Sequence, residues 1–367
     1  PMQVDIIWGP VGSMATVFEA YERETRLAGA DCAWIPDHLI GNNMHPELAA
    51  EMTGADEDVT FDYWHDPFVT ATALAGHLGP DKDFGIGVTD LIRRGPVDIA
   101  RSAASVSQVI GRPLLLGLGA GEKENLLPVD YDLPEKPVGH FEAGIEILRE
   151  ILDSGRYRSQ SGYEVELGYN ELPAKLYIGG QRPRMMRITA QYGDGWFPAW
   201  KMSVAEYEEK VAYLRETSAQ HDRPCPDLAM LCTVVIGPSR EHLYEELTRR
   251  PLLKLWGLQA SGDAWARLGT EHPFGDTSKG MFDVVIRDIP AQRLRELAPE
   301  LPSEIVSECY FMGNADEIFR ELVKFRRAGM ERAVLCNSFV VPPQNEDEVA
   351  WSEREFSRLA TMLRELD

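Results

Sequence analysis

Apolar and polar positions follow two periods along this chain, and the switches between them mark out its elements. Cys32-Ala33-Trp34-Ile35 is an unbroken apolar run of strand length. Pro36 follows it and removes a backbone donor, so the run predicts a buried strand that stops just before Asp37-His38. Gln3–Gly9, Phe84–Thr89, Pro113–Leu118, Lys175–Gly179, Gly195–Ala199, Leu228–Ile236 and Glu331–Cys336 read as further strands. Helical spacing fills the intervals. Val17, Phe18 and Tyr21 mark a helix over Ser13–Ala28, and another is predicted over Asp66–Leu78. Ile99, Ala103, Val106 and Ile110 share one face, as do Phe141, Ile145, Leu148 and Leu152. Pro183 suits the first turn of a helix. Ser203 with Glu206 forms a capping box before Val204, Tyr207, Val211 and Leu214. A helix over Arg240–Arg249 follows the seventh strand. Asn314 and Glu317 cap the next helix, through Arg327, and Phe356, Leu359, Leu363 and Leu366 face inward on the last.

Strand and helix thus alternate eight times, which predicts an α/β fold of the (β/α)8 TIM-barrel type in one domain over 1–367. The first strand–helix turn lacks GxGxxG, which argues against a doubly wound dinucleotide fold. Three segments leave the rhythm and read as insertions, about 42–62, 156–170 and 251–308. The first is acidic and irregular, a functional loop or lid; the second holds a small hairpin; the third is rich in Trp, Gly and Pro.

Composition narrows the function. The 367 residues are 44% hydrophobic and 26% charged, enough for a sizeable core. A net charge of −22 argues against nucleic acid as partner, because phosphate binding needs a positive face. No apolar run is long enough to span a membrane, and the first residues do not read as a secretory signal. Five cysteines, odd in number and without metal spacing, suggest reduced thiols in a cytoplasmic protein, and no metal site is expected.

In a barrel of this kind the carboxyl ends of the strands form the catalytic rim. That rim would collect Asp37-His38, Gly87-Val88-Thr89-Asp90, Gly119-Ala120-Gly121-Glu122 with Asn125, and Gly179-Gly180-Gln181-Arg182. Glycines there let a planar ligand approach the backbone, and 180–184 at a helix N-terminus suits a phosphate. Arg93, Arg94, Arg182, Arg184 and Arg187 could add a basic patch. Each motif has a plainer reading: a turn cap for Asp37, a helix cap for Thr89-Asp90, a charged loop residue for Glu122, a solvated basic face for GGQRPR. Met185, Met186 and Trp196 read as core. Trp256 and Trp265 read either as an apolar pocket wall or as packing.

Three motifs in order carry a resemblance: GVTxxxRxxPxxxA in Gly87–Ala100, GxGxGExxN in Gly117–Asn125, and PRMxRxxxxYxDxW ending at Trp196. With Asp37-His38 they resemble the luciferase-like superfamily of flavin- and deazaflavin-dependent oxidoreductases, most closely its coenzyme F420-dependent branch. Ala264–Gly275 (AWARLGTEHPFG) and Ile286–Pro290 (IRDIP) resemble an insertion of the mycobacterial ketoreductases in that branch.

The resemblance implies a non-prolyl cis peptide at Gly87-Val88 against the deazaflavin ring. It implies Asp37, Thr89 and Asn125 near the cofactor, and a phosphate loop at Gly179, Gly180, Gln181 and Arg182. His38 and Glu122 are the implied catalytic residues. The implied activity is hydride transfer between F420 and a ketone or secondary alcohol, with an apolar ketone as one candidate substrate and a homodimer as the implied assembly. An FMN-dependent monooxygenase and a catalytically silent flavin-binding protein are the alternatives. Asn42 stands where F420-dependent sugar-phosphate dehydrogenases carry tryptophan and Leu126 where they carry glutamate, which argues against a sugar phosphate. Arg182 replaces a glycine common among relatives.

Overall fold

The computed structural model describes residues 1–41, 44–54, 62–275, 277–280, 284–338 and 340–366. Eight parallel strands close into a barrel: β1 (Gln3–Ile7), β2 (Cys32–Ile35), β3 (Asp83–Asp90), β4 (Leu115–Gly119), β5 (Lys175–Ile178), β6 (Gly195–Trp196), β7 (Asp227–Ile236) and β8 (Arg332–Asn337). The two-residue β6 completes the ring by pairing with both neighbours, Tyr177 opposite Gly195 on one side and Gly195 opposite Asp227 on the other. The expected TIM barrel is therefore the observed fold.

Every residue of β2 is buried, as befits a strand with the barrel interior on one face and helices on the other. Outward side chains such as Val4, Ile6, Ala33 and Ile35 join the layer between strands and helices. The intervening ones, Ile7, Cys32 and Trp34, turn inward with Tyr177, Phe197 and Val334. Trp34 fits because Gly85 stands opposite: a Cβ there would meet the indole at 2.4 Å. Below Trp34 the barrel is plugged by charge. Asp5 accepts from the Trp34 indole N–H (2.8 Å) and from Arg332 (2.7 Å), and Arg332 also reaches Asp227 (3.2 Å), which accepts from the Tyr177 hydroxyl.

The outer helices follow the predicted faces. Ser13 caps Met14–Ala28, Asp66 caps Pro67–Leu78, and complete capping boxes start Val204–Gln220 and Ala315–Arg327. Four of these helices, Pro67–Leu78, Pro96–Ile110, Pro137–Ser154 and Pro183–Tyr192, begin with proline, whose missing N–H costs nothing in a first turn. The hairpin appears as Arg156–Arg158 against Glu164–Glu166.

Two expectations need correction. The segment read as irregular over 42–62 contains a helix, Pro46–Thr53, whose Leu48 and Met52 are buried; 42–43 and 55–61 lie outside the described residues. The helix Arg240–Arg249 does not belong to the outer ring. Leu243 and Leu247 pack with Leu253, Leu258, Trp265, Ile286 and Leu294 in a second hydrophobic core over the barrel's carboxyl end. The insertion thus starts before Pro251. A short strand, Phe311–Gly313, then pairs with the end of β7 and leads into Ala315–Arg327, which packs beside the last helix, Glu346–Arg364. Trp265 is buried in that second core against His272, so its role is packing.

Replacing Asp5 by Leu removes the nearer partner of a buried ion pair and leaves Arg332 with Asp227 alone. With Asp227 remaining, a loss of about 3 kcal/mol, the lower end for a broken buried pair, is expected, measured as a shifted urea midpoint; a variant within about 0.5 kcal/mol of the parent, the usual span of a surface change, would show that the plug contributes little.

Candidate functional site

The parallel register carries the carboxyl ends of β2, β3, β4 and β5 to one mouth, and hydrogen bonds join them there. Three of the anticipated residues, Asp37, Thr89 and Asn125, are buried, and they spend their polar atoms on one another and on the backbone. Thr89 Oγ1 donates to Asp37 Oδ2 (2.6 Å). Arg93 Nη2 stands 2.8 Å from the same oxygen, while its Nε donates to Asp90 (2.6 Å). Flanked by two carboxylates, the Arg93 guanidinium is held above its ordinary pKa despite burial. Asn125 spans the chain around His38, its Oδ1 accepting from Leu39 N–H (2.7 Å) and its Nδ2 donating to the Asp37 carbonyl (3.4 Å). The backbone on both sides of His38 is thereby pinned, and the half-buried imidazole lies 4.9 Å from the ring of Trp64.

A second set of anticipated residues is half-buried rather than buried: Gly87, Val88, Gly119, Glu122, Gly179, Gly180 and Gln181. The peptide Gly87-Val88 is cis, and the β3–β4 register shifts between Ile86 and Thr89. The resulting bulge leaves room only for glycine on the next strand. A Cβ at Gly117 would stand 2.2 Å from the Ile86 carbonyl and 2.9 Å from Val88. Val88 also has Gly119 and Gly179 as neighbours, where a Cβ would lie at 3.2 and 3.4 Å. A valine surrounded by bare backbone forms a shallow floor suited to a flat ring.

Gly180, with φ of 133°, turns the chain into Pro183–Tyr192, and the Trp196 indole N–H fixes the turn by donating to the Gly180 carbonyl (2.9 Å). Gln181 donates to the Trp200 carbonyl (2.8 Å). Arg182 occupies the N-cap, and no side chain caps this helix, so its first-turn N–H groups are available to an anion. The expected arginine patch does not form as such. Arg184 and Arg187 share Glu142 (2.7 and 2.5 Å), Arg93 lies between Asp37 and Asp90, and Arg94 pairs with Asp66. Their charges are compensated by carboxylates, and of these all but Asp90, three residues before Arg93, are brought near by the fold.

The second core supplies residues that sequence reasoning missed. Arg287, in the turn Ile286–Asp288, pairs with Asp62 (2.6 Å) and donates to the Gly41 carbonyl (3.1 Å), crossing from the insertion to the loop after β2. Tyr310 donates to Gln259 (3.0 Å). Glu124, two residues past Glu122, is pushed up to about 8, first by burial and then by the charge of Glu122. No sequence signal marked Glu124, because its surroundings come from the far half of the chain. Among the described residues there is no cluster of three or more His, Cys, Asp or Glu that could hold a metal, and no helix is long and apolar enough to cross a membrane.

Comparison with known proteins agrees with this geometry. The chain is 27% identical over 330 residues to the phthiodiolone/phenolphthiodiolone dimycocerosates ketoreductase of Mycobacterium tuberculosis, covering 86% of each. Its fold matches an F420-dependent secondary alcohol dehydrogenase in complex with an F420-acetone adduct, with TM-score 0.71, 16% identity and 99% of each chain covered. It also matches the FMN-bound oxygenating constituent of 3,6-diketocamphane monooxygenase from Pseudomonas putida, with TM-score 0.63, 12% identity, and 100% and 99% covered. The family model for luciferase-like monooxygenases matches residues 16–332, and this chain is an oxidoreductase of that family.

Proposed function

We propose that this protein is an F420-dependent oxidoreductase that interconverts a ketone and a secondary alcohol, with His38 and Glu122 as its proton-handling residues. The observation that carries the reading is the pinned, half-buried His38 at the mouth that Val88 and its ring of glycines floor. Support also comes from the ketoreductase likeness over most of the chain and from the dehydrogenase fold match.

The residues present fit the cofactor. Gly87, Val88, Gly119 and Gly179 would lie against its ring, and the uncapped helix start at 179–182 would receive its phosphate. Buried Asp37, Thr89 and Asn125 would act by fixing the walls. When bound, the deazaflavin supplies hydride chemistry, and the protein's task is position and charge.

As the substrate carbonyl becomes an alkoxide, its oxygen needs a donor within hydrogen-bond reach. The imidazole of His38 is the first candidate, since a ring N–H can donate to the developing alkoxide. Trp64 sets its ring plane, and Asn125 and Arg93 keep the Asp37–Leu39 backbone from moving when the proton is exchanged. Glu122, at the start of the short helix Lys123–Leu126 after β4, is the second proton-handling group. The substrate we infer is a small apolar ketone, and the assembly a homodimer.

Titrating the protein with F420 and with FMN tests the cofactor: saturable quenching by F420 and none by FMN is expected, and the converse would favour the monooxygenase reading. Replacing His38 by Ala should lower turnover about 100-fold, the usual scale for losing a general acid, while F420 affinity stays at the parental value in the same titration. Parental turnover in that variant would remove His38 from the chemistry.

A further inference from the structure

Glu124 stands on the one-turn helix Lys123–Leu126 that follows β4. Its Oε2 is buried and has no hydrogen-bond partner among the described residues. An ionised carboxylate so placed would carry charge without donors to satisfy it, an expensive arrangement that a neutral carboxyl avoids. The groups that face it deepen the problem. Glu122, on its own loop, adds a like charge. Arg287, from the insertion, opposes that charge, but its guanidinium is already engaged by Asp62 and the Gly41 carbonyl. Tyr310, beside the strand Phe311–Gly313, also senses Glu124, yet its hydroxyl donates to Gln259 and its own ionisation is pushed well up by burial and by Cys309 and Cys336. None of these groups supplies the donor that an ionised Glu124 would need, and burial holds its carboxyl at about 8.

We propose that Glu124 stores the proton the reaction consumes, passing it to Glu122 and through Glu122 to the oxygen of the bound carbonyl compound. The inference rests on the function proposed above and adds the source of the proton. Reducing a ketone takes one hydride and one proton. The reduced two-electron carrier gives the hydride to the carbonyl carbon, and the C=O π pair moves onto oxygen. Glu124 passes its proton to the Glu122 carboxylate, which hands it to that oxygen while His38 donates a hydrogen bond to the same atom; Glu122 is left charged as before, and Glu124 recovers its proton from water. Alcohol oxidation runs the same sequence backward. Two carboxyls in electrostatic contact, one charged and one neutral, divide the work as acid pairs in enzymes do when their surroundings push the two titrations apart.

The pH dependence has a definite sign. A carboxyl whose folded pKa lies above its ordinary value favours the folded state most below that ordinary value, and the contribution is lost as pH rises through about 8. Ketone reduction should likewise fall above about pH 8, where Glu124 is ionised at rest.

The test uses the full-length protein and Glu124→Gln, which keeps shape and neutrality but has no proton to give. Difference infrared spectra of parent minus variant, recorded without cofactor, should show a protonated-carboxyl C=O band at pH 7 that disappears with a midpoint near 8. Glu122→Gln should move that midpoint down, because the like charge is gone. Carboxylate bands alone at pH 7 would overturn the proposal. In ketone reduction, Glu124→Gln should lose about 100-fold in kcat with KM unchanged and without the alkaline fall; a parental pH profile would also overturn it. The two readings fail separately. A dead His38→Ala beside a parental Glu124→Gln would sink only the proton store. Absence of F420-linked turnover in the parent would sink the function proposed above, and with it the proposal's destination for the proton, whatever the infrared midpoint.

Discussion

The mouth of the barrel depends on one guanidinium. Arg93 is buried between Asp37 and Asp90, so three charges leave water together and are viable only because their geometry is close to ideal. The pairing ties the end of β2 to the end of β3, and Thr89 and Asn125 complete it from β3 and from the loop after β4. Removing Arg93 would leave the Asp37 and Asp90 carboxylates buried without the cation they share. His38 sits beside this tie without contributing a hydrogen bond to it among the described residues. A side chain can be placed to a few tenths of an ångström while its polar atoms stay uncommitted only if its neighbours do the anchoring.

Beneath the mouth the barrel is solid, and its packing explains the glycines better than flexibility does. Gly85 makes room for Trp34, Gly195 for Tyr177, and Gly117 for the bulge at Val88. Large aromatic side chains occupy what these residues vacate, with Trp34 and Phe197 stacked at 4.7 Å and Trp34 edge-on to Tyr177. The floor is therefore a continuous set of contacts from the Asp5–Arg332 plug up to Val88, and a ring lying on it would meet a surface that does not yield.

Much of this was legible in the sequence, and the physical reason is locality. Parallel strands buried on both faces read as apolar runs, and capping boxes and first-turn prolines declare themselves within four residues, so all eight barrel strands could be found from the chain alone. The rim residues could be named because each follows a strand. What they do there could not. Asp37, Thr89 and Asn125 look like ligands in a sequence and turn out to be buried and mutually satisfied. Arg184 and Arg187 look like a free basic face until Glu142, more than forty positions earlier, is seen between them. Asp5 and Arg332 lie at opposite ends of the chain, and Glu124, raised by burial and by Glu122, is opposed by Arg287 from the distant insertion. The helix Pro46–Thr53 was hidden because its apolar residues serve the second core rather than the first.

The contact of Arg287 with Asp62 and Gly41 joins two bodies of packing that otherwise have separate cores. Barrel and insertion are thus packed separately within one polypeptide and tied by more than one cation, Arg287 here and also Lys201, which meets Glu321 and the carbonyls of Ser307 and Tyr310. A substitution in the insertion's packing can therefore leave the barrel's own layer of contacts as it is, because the two sets of buried residues do not overlap.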